Sequence, residues 1–245
     1  MSWEKQLFKD SVLSIAQGEV NGHSGEHKFG AVPAMSQNQT GTIWDVNDTT
    51  YPWSSWDTAA NIQLPACNAS DDGKKITIVG LDGDYNLQTV EMTLDSGGVT
   101  AGTETWSRIY RAYISEGATN VGNVDIQKSS VVVARINAGM GQTLMAIYTV
   151  PAGYTAYLMQ GTATVQDGAD ATANMYVRYD GQDAFRIGHS FEVAGDGGQY
   201  FYKFAVPRKL PAKTDIDVRA TMRSNNARMT AAFDMILVQD GYEHG

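Results

Sequence analysis

From residue 76 onward, apolar and polar positions alternate with the period of two that marks half-buried β-strands. Ile76–Leu81 and Thr89–Leu94 both alternate, and the turn-forming cluster Asp82-Gly83-Asp84-Tyr85-Asn86 between them predicts a hairpin. Arg108–Ile114, Asn123–Gln127 and Val131–Ile136 complete a first group of predicted strands. A second group is predicted at Thr143–Val150, Thr155–Val165, Ala173–Tyr179, Phe185–Val193, Gln199–Val206, Thr214–Met222 and Arg228–Val238. Turn markers such as Pro151-Ala152-Gly153, Asp180-Gly181 and Ser224-Asn225-Asn226 separate them. Closely spaced strands without a βαβ rhythm predict an all-β chain, an antiparallel β-sandwich of jelly-roll type. In Asp215-Ile216-Asp217-Val218-Arg219 the alternation turns Ile216 and Val218 inward and the three charges toward water.

The first 75 residues lack this rhythm. Gly18, Gly22, Gly25, Gly30, Pro33 and Gly41 punctuate a polar stretch, and Trp44, Tyr51, Trp53 and Trp56 follow it. Trp3, Leu7, Val12, Leu13 and Ile15 approximate a helical stripe ahead of it. So many large rings argue against disorder, in which aromatics are depleted. The expectation is an extended N-terminal arm over 1–75 that drapes over its own body or a neighbouring subunit. A small β domain is then expected over 76–137 and a sandwich over 138–245, parted near Ala138-Gly139-Met140-Gly141.

Composition narrows the class. Hydrophobic residues make up 42% of the 245, too many for a disordered chain. No apolar run reaches the length of a membrane-spanning helix. The start Met1-Ser2-Trp3-Glu4-Lys5 is not that of a secretory signal, which predicts synthesis in a cytoplasm. The lone Cys67 excludes an intrachain disulfide and a Cys-cluster zinc site. Charge is uneven: residues 1–128 carry 8 basic and 16 acidic side chains, whereas 129–245 carry 10 and 11. An acidic first half lacks the basic stripe that a duplex-binding protein needs to neutralise phosphates. The most basic stretch is Arg208, Lys209 and Lys213 with Arg219, Arg223 and Arg228 beyond; it reads as a solvated face or as a dock for an acidic neighbour.

Chemistry-bearing patterns are sparse. His23 and His27 lie four apart among glycines, with no third metal ligand in view. Asp82-Gly83-Asp84-Tyr85-Asn86 alternates oxygen-bearing side chains like a calcium loop, but Leu87 and Thr93 stand where that loop needs glycine and glutamate. There is no Gly-x-Ser-x-Gly elbow and no phosphate-binding glycine loop, and Ser24 beside His23 is adjacency rather than a triad. His189 falls within a predicted strand. No catalytic residue, metal site or cofactor is expected. Trp3, Trp44, Tyr51, Trp53, Trp56, Arg208 and Lys209 are the candidate subunit-contact residues, the rings because Trp and Tyr dominate interface hot spots. The alternative for the rings is packing beneath the arm.

Several phrases carry a resemblance as a set. They are Lys28-Phe29-Gly30 with Ile43-Trp44-Asp45, then Ile78-Val79-Gly80-Leu81-Asp82 with Gln88–Leu94, and Arg108-Ile109-Tyr110-Arg111-Ala112-Tyr113. Gly141–Gly153 and Phe233-Asp234-Met235-Ile236-Leu237-Val238 complete them. From about residue 28 to 240 the chain resembles virion structural proteins of marine tailed bacteriophages, of the cyanophage and pelagiphage kind. The resemblance implies a non-enzymatic virion component made in the host cytoplasm. The expected role is a capsid decoration or cement protein, the alternative a neck or tail component that anchors fibres or binds a host receptor. Expected partners are other virion proteins, the major capsid protein or neck and tail proteins, and further copies of itself, with neither nucleic acid nor membrane. A carbohydrate-active enzyme or lectin-like module is the reading from another class.

Overall fold

The computed structural model describes residues 11–242 except 167, 196, 197 and 225. Among the described residues a short helix α1 (Ser11–Ala16) precedes sixteen strands. One sheet is built from β1 (His23–Met35), β16 (Ala227–Gln239), β11 (Tyr154–Val165) and β14 (Gln199–Leu210), in that spatial order. The second contains β10 (Ile147–Thr149), β15 (Asp215–Met222), β12 (Ala171–Arg178) and β13 (Arg186–Val193), with β2 (Thr40–Thr42) also on β15. All pairings are antiparallel, and the chain is all-β.

The period of two explains the layers. In β16 every second residue from Ala227 to Leu237 is buried, and β12 buries Ala171, Ala173, Met175 and Val177 in the same way. Met175 and Val218 of one sheet and Ala163 and Ala231 of the other belong to one buried hydrophobic cluster, so the two inner faces share a core.

A single strand position of the second sheet is made from two distant segments. Thr42 pairs with Arg219 and Ile147 with Asp217, while Ile43 N–H donates to Val218 O (2.8 Å) and Val218 N–H donates to Ala146 O (3.1 Å). Residues 43 and 146 are themselves joined, Ala146 N–H donating to Ile43 O at 2.9 Å. The chain therefore leaves a strand at residue 43, builds a large insertion, and returns at residue 146 to continue the same strand.

The insertion holds two small sheets. One orders β6 (Thr100–Ala101), β3 (Gln63–Leu64), β8 (Val124–Lys128) and β9 (Val131–Ile136). The other orders β5 (Leu87–Thr93), β4 (Lys75–Leu81) and β7 (Arg108–Glu116). The β4–β5 hairpin matches the expected one, and Asp82 Oδ1 accepts the N–H groups of Asp84 and Asn86 to close its turn. Ile62, Leu64, Ile76, Ile78, Trp106, Ile109 and Ile126 are buried in a core continuous with that of the sandwich.

The structure corrects the expectation of an arm. Residues 23–35 are the longest edge strand of the first sheet, paired from His23↔Val238 to Met35↔Ala227. The glycines misled because their reasons differ. Gly18 and Gly22 occupy left-handed turns, φ +71° and +68°. Gly30 lies within β1, where a Cβ would sit 2.3 Å from both Ala146 N and Ile43 O. That glycine marks close backbone approach at the neck of the insertion, not a loop.

Candidate assembly surface and junction cleft

The aromatic residues of 44–56 pack inside the chain. Trp44, Tyr51, Trp53 and Trp56 are at most 6% exposed, so the structure does not present them as subunit contacts. They form a run of edge contacts, Trp44 to Tyr51 at 5.1 Å and Tyr51 to Trp53 at 4.8 Å between ring centroids. Each polar tip is used: Trp56 Nε1 donates to Tyr51 Oη (2.8 Å), Trp53 Nε1 to Asp217 Oδ2 (2.7 Å) and Trp44 Nε1 to Thr49 O (3.2 Å). Trp3 lies outside the described residues, as does Leu7 of the expected helical stripe.

This aromatic segment covers the outer face of β15. Asp215 and Asp217 were expected in water and are 2% and 0% exposed. Asp215 accepts from Arg108 Nε (2.9 Å) and Nη2 (3.0 Å), from Arg178 Nη2 (2.7 Å) and from Thr149 Oγ1 (2.6 Å). Asp217 accepts from Thr42 Oγ1, Trp53 Nε1 and Arg219 Nε at 2.7–2.8 Å. Arg108 belongs to the insertion and Asp215 to the sandwich, so a buried ion pair fastens the two. Burial alone disfavours the Arg108 charge, but its bonds to Asp215 outweigh that and raise its pKa.

Beside this junction opens a cleft of about 330 Å³. The insertion contributes Asp57 and Tyr85; the sandwich contributes Arg178, the turn 179–183 and Lys213. Tyr85 and Lys213 both hold left-handed backbone conformations, φ +68° and +61°. The turn at 150–153 braces both: Ala152 N–H donates to Tyr85 O and Lys213 N–H to Val150 O, each at 2.8 Å. Lys213 Nζ lies 5.2 Å from the Tyr85 ring centre.

The two edges of the sandwich differ. At the β1 and β10 edge the neck of the insertion crosses against Gly30. At the other edge, β13 and β14 end their respective sheets side by side. Phe191 stacks on Tyr200 at 4.3 Å, His189 lies 4.7 Å from Tyr202, and His189 Nε2 and Tyr200 Oη are hydrogen-bonded at 2.5 Å. Arg208 Nη1 donates to Gly188 O at 2.5 Å and so stitches β14 to β13. Burial, with Arg208 second, lowers the His189 pKa. Ile187 (58%), Phe201 (58%), Tyr202 (41%) and Val206 (80%) are exposed here, next to the exposed Arg186, Lys203 and Lys209.

Of the sequence-based candidates, then, Arg208 and Lys209 lie on this bare edge and the four described rings do not. Ile187, Phe201 and Val206 were missed. Their signal was legible in β14, where Tyr202, Phe204 and Val206 make one face wholly apolar and Phe201 shares the other with Lys203 and Ala205. His23 and His27 stand on β1; His27 Nδ1 is hydrogen-bonded to Asp234, and among the described residues no group of three ligating side chains gathers.

No protein-family model matches the chain, and no curated protein matches it. Among solved structures it is similar to a chain of the Cowpea mosaic virus top component, a naturally occurring empty particle, with 11% identity, 76% of this chain and 84% of that chain covered, and a TM-score of 0.24. It is likewise similar to the VP2 subviral particle of infectious bursal disease virus, with 9% identity, 91% and 73% covered, and a TM-score of 0.23. Both are viral capsid proteins. Superpositions this loose assign neither a fold nor a function to the chain.

Proposed function

We propose that this chain is a non-enzymatic virion structural protein of a tailed bacteriophage, a decoration or cement protein that adds cohesion to the capsid. The observation that carries the reading is the bare β13–β14 edge. Natural sheets cover, charge or twist away their edges, because an open edge invites another chain. Here one edge is closed by the insertion and the other presents Ile187, Phe201, Tyr202 and Val206 with basic neighbours. A basic, apolar edge fits an acidic partner surface, and residues 43–146 supply one, with 6 basic and 12 acidic side chains. Copy-to-copy contacts of edge on insertion are heterologous, the kind that propagates around a ring or shell.

The strand order supports a jelly-roll reading. In chain order the sandwich strands run β1, the composite β2/β10, β11, β12, β13, β14, β15 and β16, and the sheets order them as β1-β16-β11-β14 and β10-β15-β12-β13. Eight strands in two Greek keys wind this way, an architecture used by capsid proteins and by lectins alike. The junction cleft favours a second reading, a neck or tail component that touches the host surface.

Light scattering of the purified chain at rising concentration, with V206E and F201E beside the parent, tests the assembly surface. Self-association in the parent, abolished in both variants with unchanged melting temperature, supports it; a monomeric parent that also fails to attach to particles sinks it. Gold labelling of this chain on phage particles separates head from neck and tail.

A further inference from the structure

We infer that the cleft between insertion and sandwich is a saccharide-binding site, taking one or two neutral pyranose units. The inference stands on the cleft itself and holds wherever in a particle the chain resides. Its volume of about 330 Å³ falls within the range of small-molecule sites, and its place between two structural units is where such sites concentrate.

The groups facing the cleft define the ligand's chemistry. Arg178 lines the cleft and spends Nε and Nη2 on Asp215, and its Nη1 makes no hydrogen bond among the described residues. Lys213 approaches the Tyr85 ring with its ammonium and forms no ion pair among the described residues. The same cleft is lined by the acceptors Asp57, Asp180 and Asp183, all exposed, and by Gln182, which can both donate and accept. Four carboxylates, Asp57, Asp180, Asp183 and Asp215, and three cations, Arg108, Arg178 and Lys213, line the cleft, with Asp215 already paired to Arg108 and Arg178. A hydroxyl group donates to a carboxylate and accepts from an ammonium or guanidinium at once. A ring bearing several hydroxyls is therefore the class that satisfies both signs. Tyr179 adds carbon surface to the lining, while the Tyr85 ring is approached by Arg108 at 5.3 Å and Lys213 at 5.2 Å.

The site is also held in shape before any ligand arrives. Tyr85 and Lys213 keep left-handed conformations that bulky residues seldom adopt, and both are pinned through backbone bonds to the turn at 150–153. Beneath them Arg108 and Arg178 are fixed by Asp215. Such pre-organisation lowers the ordering cost of binding.

The test uses the full chain with the methyl glycosides of glucose, galactose, mannose and N-acetylglucosamine, followed by saturation-transfer NMR and titration. Sodium sulfate and glycerol are the comparison ligands. At least one glycoside is expected to bind saturably with a Kd of order millimolar. Lys213→Ala and Asp183→Ala are each expected to weaken it about tenfold or more, a change of about 1.4 kcal/mol. Both sites lie on turns, so their melting temperatures should match the parent's. Phe201→Ala, on the assembly edge, should bind as the parent does. The inference is overturned if no glycoside saturates, if sulfate binds in their place, or if the binding survives both cleft substitutions. Self-association through the β13–β14 edge is read separately by light scattering, so either reading can fail without the other.

Discussion

Replacing Asp215 with asparagine should unfasten the insertion from the sandwich. The carboxylate is 3% exposed at its side chain and is shared by two guanidinium groups, Arg108 at 7% and Arg178 at 16% exposure. Asparagine keeps the shape and removes the charge, so two cations remain in a site walled by the Trp53 ring, 5.6 Å from each guanidinium carbon. Removing one partner of a buried pair costs about 3–5 kcal/mol, because the remaining charge is left uncompensated. A chain of this size loses about 2–4 °C of melting temperature per kcal/mol, so the expected drop is about 6–20 °C. Thermal denaturation reads the shift and urea denaturation the free energy, both followed by tryptophan fluorescence with Trp53 as an internal reporter of the junction. D215N combined with Arg178→Met removes one of the stranded cations and should regain part of the loss. A penalty below about 1 kcal/mol, the size expected of a surface ion pair, would refute the reasoning.

Gly30→Ala drives a methyl group to 2.3 Å from two backbone atoms of the insertion's neck, neither of which can rotate away, and should cost about 3 kcal/mol or more by chemical denaturation. Asp45 is buried at the base of the insertion, accepts Leu144 N–H at 3.2 Å through Oδ2, has no partner for Oδ1 among the described residues, and burial raises its pKa to about 7. The folded chain thus holds a proton that the unfolded chain releases near pH 4, so stability falls as pH rises from about 4 to 7, by up to about 1.4 kcal/mol per unit; Asp45→Asn should flatten that slope in urea midpoints taken at pH 5 and pH 8, and an unchanged slope would count against it. Lys28 is buried with Nζ 2.6 Å from Tyr110 O, and burial lowers its pKa to about 8. Between pH 8 and 10.5 the unfolded chain binds the extra proton, so stability should rise with pH there, and Lys28→Met should abolish the rise.

The strands of the second half were legible because local alternation and global layering agree there. β12, β15 and β16 each bury every second residue on the core side, and that pattern survives whatever covers the other face. What local pattern leaves out is what lies on that other face. Asp215 and Asp217 alternate with Ile216 and Val218 as surface charges do, and only the return of the insertion turns them into buried ones. β1 was missed for a related reason: its partner β16 lies some two hundred residues further on, and its glycines look like punctuation when one of them serves a backbone crossing. For the rings at 44–56 subunit contact and packing beneath the arm both stay open from the sequence, because sequence alone does not distinguish a ring that docks on another chain from one that docks on its own sheet. At the cleft, Arg178 at the end of β12 and Tyr85 and Lys213 on two separate turns share no spacing that a linear reading could detect.

The interrupted strand makes the fold a socket. The backbone departs at Ile43 and comes home at Ala146 on the same rung, with the two residues hydrogen-bonded to each other. A different module whose ends lie equally near one another could be spliced at that point without changing the order of the surrounding strands. Such a graft would meet a floor of Asp215 and Asp217 that keeps Arg178 and Arg219 but lacks Arg108 and Trp53, and would have to bring its own donors in their place.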